Sequence, residues 1–281
     1  MELAQRLRRG NIKYPFLFVG PFRLDGTLPA YPFGERVGRS FRIFREEHPD
    51  AVPLPWVGGI QGKQLRLEDP QWVATAVDET ARLIDALDVK GVHVDFENLL
   101  LQRAPDPIYP NNANRFFREL RRRLPRAFIS AVIPSTAPGV RSWKQPHSVT
   151  EVDEMVKLVD QLVVLYYDTS IQNSRAFEEG LAIQIDHFAR WKALAPQTQL
   201  LVALGTFVNG PQLRRFRDLE IESIEHHFIA LTRATAQYPP HLVDGSAVYC
   251  EWQTDASEWE RLRPYLTDQA RPVRSPLSSA R

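Results

Sequence analysis

His93, Asp95 and Glu97 occupy every second position of the segment Val92-His93-Val94-Asp95-Phe96-Glu97. Successive side chains on a strand point to opposite faces. These three therefore share one face, and Val92, Val94 and Phe96 share the other. Burying two carboxylates and an imidazole is costly unless they are paired or used, so this strand reads as the floor of an active site. Asp95 and Glu97 stand close enough for like-charge repulsion to raise one pKa, which suits a carboxylic acid that must donate a proton. Glycosidic bond cleavage needs such an acid. Two carboxylates on one strand do not flank a sugar from opposite sides, so substrate-assisted hydrolysis fits better, with the substrate's own 2-acetamido group as nucleophile.

The same face offers imidazole and carboxylate together, which are metal-ligand types. No other expected strand end supplies a second histidine. His226 and His227 fall on a late helix, and His147 follows Pro146 in a loop. No metal is assigned on this basis, and His93 reads as a core histidine hydrogen-bonded to Asp95.

These residues need a frame that gathers strand ends. Apolar strand patterns are expected over Tyr14–Gly20, Ala51–Val57, Gly91–Glu97, Ala127–Pro134, Gln161–Asp168, Gln199–Phe207 and Ser246–Trp252. Helical periodicity falls between them, over Gly38–Glu47, Pro70–Leu87, Asn112–Leu124, Val149–Val159, Ala176–Leu194 and Ile221–Gln237. Strand-then-helix alternation predicts parallel strands covered by helices. Polar residues collect where strands end, at Glu97-Asn98, Ser135-Thr136, Asp168-Thr169 and Asn209, as in a TIM-type (β/α)8 barrel. No Gly-rich phosphate loop follows the first strand, so no dinucleotide cofactor is expected.

Seven strands is one short of a closed barrel, and Met1–Lys13 is too short and too basic to supply a strand and its helix. The expectation is an α/β barrel over residues 14–267 that lacks its first strand. Residues 1–13 form an N-terminal segment, and the Pro-, Ser- and Arg-rich tail 268–281 reads as disordered.

The chain has 281 residues, 43% hydrophobic, with a net charge of +1, so no nucleic-acid partner is implied. Arg121-Arg122-Arg123 lies on a helix and reads as a solvated outer face. Cys250 is the single cysteine, expected as a small buried residue rather than a nucleophile. No stretch is long enough to span a membrane. The location expected for the chain as written is cytoplasmic, or the cell envelope or outside the cell if an upstream start hides an export signal. Trp143-Lys144 reads either as a substrate-contacting lip or as a loop anchor.

With these residues in place, the sequence resembles glycoside hydrolase family 18, the chitinase-like enzymes, nearest to their spore-cortex-hydrolase branch. The family signature Asp-Gly-x-Asp-x-Asp-x-Glu is similar to Lys90-Gly91-Val92-His93-Val94-Asp95-Phe96-Glu97, with Lys90 and His93 replacing the first two acids. Trp56-Val57-Gly58-Gly59 looks like the Ser-x-Gly-Gly of the third strand, and Phe18 through Leu28 looks like the second strand and its turn. Leu165-Tyr166-Tyr167-Asp168 is similar to Met-x-Tyr-Asp of the sixth strand. Gly245 to Trp252 is similar to the last strand, whose Trp floors the sugar site; Tyr249 takes that position, with Trp252 as a rival.

The resemblance implies a retaining hydrolase of an N-acetylglucosamine-containing polysaccharide, chitin- or peptidoglycan-like. Glu97 would be the acid and base, Asp95 would orient the acetamido group, and Tyr167 would donate to its carbonyl. Asp168, Tyr249, Trp252, Trp56 and His93 would bind the glycan. The alternatives are a non-catalytic glycan-binding protein on the same barrel, or a metal-dependent hydrolase using His93, Asp95 and Glu97.

Overall fold

The structure is a computed structural model that describes residues 2–97, 112–140, 149–206 and 216–267. Its strands are β1 (Phe16–Pro21), β2 (Leu54–Ile60), β3 (Gly91–Glu97), β4 (Phe128–Pro134), β5 (Gln161–Leu165), β6 (Gln199–Gly205) and β7 (Gly245–Tyr249). They alternate with α1 (Glu2–Arg9), α2 (Glu35–Glu47), α3 (Pro70–Leu87), α4 (Asn112–Arg123), α5 (Val149–Met155), α6 (Ser174–Leu194), α7 (Ile224–Thr235) and α8 (Ala256–Thr267). All seven strands are parallel and ordered β1 to β7. The sheet is a (β/α) barrel that lacks one strand, and the seam lies between β7 and β1.

Alternation along the strands builds two cores. Val92, Val94 and Phe96 of β3, Ile129, Ala131 and Ile133 of β4, and Leu162 and Val164 of β5 face the helices in one large apolar layer. The opposite positions, including Val132, Val163, Leu201 and Ala203, pack inside the barrel with Phe16 and Tyr249. Each such side chain, once buried, contributes roughly 1.5–3 kcal/mol; Val94→Asp would place a charge in the outer layer.

The helices start where their caps dictate. Asp69 accepts from the Gln71 amide at 2.8 Å, with Pro70 at the first helical position, and α3 ends at Asp88 in the left-handed region. Asn173 caps α6 by accepting from the Ala176 amide. Such caps satisfy amides that have no partner within the helix.

Strand ends differ from the sequence expectation for identifiable reasons. The β1–β2 ladder does begin in the expected stretch, where the Val52 amide donates to Lys13 and the Leu54 amide to Pro15. β2 then runs on through Gly58 and Gly59, because β3 pairs with it as far as Ile60 opposite Glu97. A side chain on Gly58 would collide with the Asp95 backbone. β5 stops at Leu165, and Asp168 and Ser170 take positive φ. Residues 1–13, read as too short and too basic for a strand and its helix, hold α1 alone. Its Ala4 and Leu7 pack against Phe44, Ala51 and Trp259, and Arg6 pairs with Glu251. Phe207, Asn209, Trp143-Lys144 and the tail 268–281 lie outside the described residues.

The arginines expected on a solvated face are largely engaged at the surface. Arg121 pairs with Asp160 and also donates to the carbonyls of Ala127 and Leu158. Among the described residues, no helix is long and apolar enough to cross a membrane.

Candidate active site

Parallel register stacks the barrel interior into rungs. The lowest crosses four strands: His93 stands opposite Ser130, Ser130 opposite Gln161, and Gln161 opposite Gln199. All four side chains point inward, and they hydrogen-bond in series. His93 Nδ1 lies 2.8 Å from Ser130 Oγ, Ser130 Oγ donates to Gln161 Oε1 at 2.8 Å, and Gln161 Nε2 donates to Gln199 Oε1 at 3.0 Å. Gln199 Nε2 donates to the Tyr14 hydroxyl at 3.1 Å. With the amides oriented this way the Ser130 proton is already used, so Ser130 accepts from His93 and places a proton on Nδ1. The His93 ring also stacks on Phe16, with centroids 3.7 Å apart. It is buried, as expected of a core histidine, and its Nδ1 partner is Ser130, where the sequence expectation named Asp95.

One rung higher, Asp95 stands opposite Val132, followed by Val163 and Leu201. The acid thus enters the interior on a rung whose other members are apolar. Glu97 follows at the end of β3, where its carbonyl accepts from the Gln61 amide at 2.9 Å.

The neighbouring tyrosines divide by strand parity. Tyr166 points outward and donates its hydroxyl to the Phe177 carbonyl at 2.7 Å, a packing role. Tyr167 points inward. Burial drives its phenol pKa well above the ordinary value of 10.0, and Asp95, Tyr249, Asp168 and Glu97 push it further. Tyr249 is pushed up to about 12, first by burial, then by Cys250, Asp95, Glu97 and Asp168. Asp95, Glu97 and Asp168 thus act electrostatically on both phenols. At neutral pH both phenols keep their protons and remain donors, a polarity suited to holding a carbonyl oxygen.

Aromatic rings extend this cluster to the surface. Tyr249 stacks on Tyr167 with centroids at 5.7 Å and an interplanar angle of 6°. Trp56 meets Tyr249 edge-on at 6.3 Å, and Trp252 does so at 5.6 Å. Trp252 is 63% exposed, so it offers a ring face to solvent; Tyr249 is half-buried beneath it. Aromatic faces of this kind suit the apolar faces of sugars. Every residue assigned to the site from sequence lies in or directly beside this cluster. His93 is the deepest of them, one rung below the acid pair.

Two charged residues escaped the sequence reading. Glu222, 4% exposed, accepts from the amides of Asp168 and Thr169 at 2.7 and 2.9 Å and from Thr169 Oγ1 at 2.7 Å. Arg217 Nε lies 3.7 Å from Glu222 Oε2, both side chains nearly inaccessible, and Arg217 also donates to the Gly205 carbonyl. This pair pins the backbone turn that carries Asp168, which is itself 2% exposed with a φ of 52°. Aspartate tolerates that conformation better than most residues. Burial raises the Glu222 pKa to about 7, against the lowering pull of Thr169, Arg217 and Asp168. No local pattern announces this brace, because Glu222 falls within the expected helix Ile221–Gln237 and its partners lie far off in the sequence.

Cys250, expected to be buried, is 3% exposed, and burial pushes its thiol up to about 11, so it stays a thiol at neutral pH. Among the described residues, no three His, Cys, Asp or Glu side chains converge as a metal site.

No family model and no curated protein sequence matches the chain. Solved structures do. The spore cortex-lytic enzyme SleL of Bacillus megaterium QM B1551 superposes with a TM-score of 0.59 at 12% identity, covering 94% of this chain and 70% of that one. A chitinase from Chromobacterium violaceum ATCC 12472 gives 0.63 at 12% identity over 94% and 95%. The Group IV chitinase of Ostrinia furnacalis, in complex with allosamidin, gives 0.63 at 12% identity over 94% and 91%. The chain therefore shares the barrel fold of cortex-lytic enzymes and chitinases.

Proposed function

We infer that this protein is a glycoside hydrolase that cleaves an N-acetylglucosamine-containing polysaccharide with help from the substrate's acetamido group. The observation that carries this reading is the stack of Tyr167 on Tyr249 inside the barrel, edge-on to the exposed ring of Trp252 and within the electrostatic reach of Asp95, Glu97 and Asp168. The fold shared with chitinases supports it, as does the order of the motif residues along the chain.

In this mechanism the sugar rests on Tyr249 and Trp252, and Trp56 borders the same shelf. Glu97 protonates the glycosidic oxygen as the bond to the anomeric carbon breaks. The acetamido oxygen attacks that carbon from the opposite face, forming an oxazolinium ion. Asp95 accepts the acetamido N–H and offsets the positive charge, while Tyr167 donates to the acetamido oxygen and orients it. Asp168 holds the sugar and completes the network, and His93 supports Asp95 from below. Glu97, now a carboxylate, deprotonates the water that opens the intermediate with retention.

Glu97→Gln is expected to lower hydrolysis of soluble N-acetylglucosamine oligomers by roughly 10²–10⁴-fold, with glycan binding retained. Hydrolysis at the wild-type rate in this variant would overturn the assignment. Binding by wild type with no hydrolysis at all would favour the non-catalytic glycan-binding reading.

A further inference from the structure

The segment that presents Tyr167 and Asp168 leaves the sheet. β5 ends at Leu165, and its ladder with β6 runs one step further, where the Tyr166 amide donates to the Ala203 carbonyl at 3.0 Å. Asp168 and Ser170 then take φ values of 52° and 59°, a left-handed conformation that costs an L-residue energy. The loop 216–222 holds the chain there. The Phe216 carbonyl accepts from the Ser170 amide at 2.7 Å. Glu222 Oε2 accepts from the Asp168 amide, and Oε1 accepts from both the amide and the hydroxyl of Thr169. Arg217 secures the loop in turn, donating to the Gly205 carbonyl at the end of β6 and lying against the Glu222 carboxylate. One loop thus fastens the turn after β5 to the end of β6.

The Glu222 side chain is not needed to build its own surroundings. Ser223 caps α7 by accepting from the His226 amide. Asp218 Oδ1 shapes the loop by accepting from the amides of Glu220 and Ile221. Glu222 instead spends both carboxyl oxygens on the two residues that directly follow Tyr167, the phenol stacked on Tyr249. A glutamine there would turn one acceptor into a donor facing a donor. Buried behind the turn, Glu222 contacts backbone and hydroxyl, so any effect it has on a bound sugar passes through Tyr167 and Asp168.

We propose that Glu222 is a positioning residue of the hydrolase site: through the amides of Asp168 and Thr169 it sets where the Tyr167 hydroxyl and the Asp168 carboxyl stand. It therefore acts on the chemical step more than on the binding of the glycan. This inference rests on the hydrolase reading, to which it adds a residue that touches no substrate. A misplacement of about 1 Å in such a group lowers a rate by up to roughly 10²-fold, so a small rotation of the turn is enough to be read kinetically.

The test measures kcat and KM on soluble N-acetylglucosamine oligomers for wild type, Glu222→Gln, Thr169→Val and Thr169→Ser, well below each melting midpoint. Glu222→Gln is expected to lower kcat per folded molecule by roughly tenfold or more. Its KM should stay within about twofold of wild type, the sign of an interaction lost in the transition state alone. Thr169→Val removes one donor to Glu222 at nearly constant shape and should slow turnover, and Thr169→Ser should restore it. The proposal is overturned if folded Glu222→Gln keeps its kcat and only its melting midpoint falls. Should that variant not fold, equal turnover by Thr169→Val and Thr169→Ser overturns it. In both cases the hydrolase reading stands, because wild type still turns over. A folded wild type that hydrolyses no oligomer removes the hydrolase reading, and this role with it.

Discussion

Two adjacent rungs of the same barrel handle polar groups in opposite ways. On the lower rung His93, Ser130, Gln161 and Gln199 stand side by side, and each finds its partner in the next strand. On the rung above, Asp95 has Val132, Val163 and Leu201 for company. A complete polar series satisfies itself and rigidifies the interior. The Asp95 charge is felt upward, by Tyr167 and Tyr249. Where a rung closes its polar series within itself, polarity marks architecture; where an acid's field reaches the phenols of the next rung, it marks a candidate site.

That contrast can be broken by experiment. The largest effect is expected on the upper rung. Asp95→Asn should lower the hydrolytic rate about 10²-fold while leaving the thermal midpoint unchanged or raised, as activity assays and melting curves would show together. A large loss of stability instead would make Asp95 a structural residue.

Next comes the brace behind Asp168. Glu222→Gln replaces an oxygen that accepts from the Asp168 or Thr169 amide with an N–H donor and is expected to cost about 1–3 kcal/mol in denaturant unfolding. The pH dependence has a definite sign. A carboxyl whose folded pKa is raised from 4.5 to about 7 binds its proton more tightly in the fold. Its favourable contribution is fully present below pH 4.5 and lost as the pH rises through about 7. Wild-type stability should therefore fall across that window more than the variant's does; parallel curves would show that Glu222 is ionised throughout.

The smallest effect is expected on the lower rung. Gln161→Leu removes the partner of both Ser130 and Gln199 and should cost about 2 kcal/mol, with hydrolysis of the folded protein nearly intact. A loss of activity as deep as that of Asp95→Asn would erase the distinction between the rungs.

Much of this was legible in the residues themselves. The period-two pattern of Val92–Glu97 places Asp95 and Glu97 on one face, and the order of seven strand patterns gives the parallel barrel and its missing strand. The glycines at 58 and 59 marked a motif, but their place inside β2 followed only from its pairing with β3. The helix at Glu2–Arg9 is not legible in the residues, because a short, strongly basic segment carries little apolar periodicity. Ser130, Gln161 and Gln199 were visible as polar residues in apolar strands, yet nothing local says that they stand level. Glu222 is 54 residues from the Asp168 amide that it holds, and no signal nearby could have named it.

By itself the sequence determined which residues face inward, because alternation is a property of each strand alone. It also determined the order in which strands and helices follow one another. Only the tertiary structure decided the register between strands, and with it which inward residues meet: His93 with Ser130, Asp95 with Val132, Tyr167 with Tyr249. Register is a collective result of packing helices against the outer face of the sheet. A shift of one residue in any strand would exchange its inner and outer faces, so the choice belongs to the assembled barrel and to no single segment.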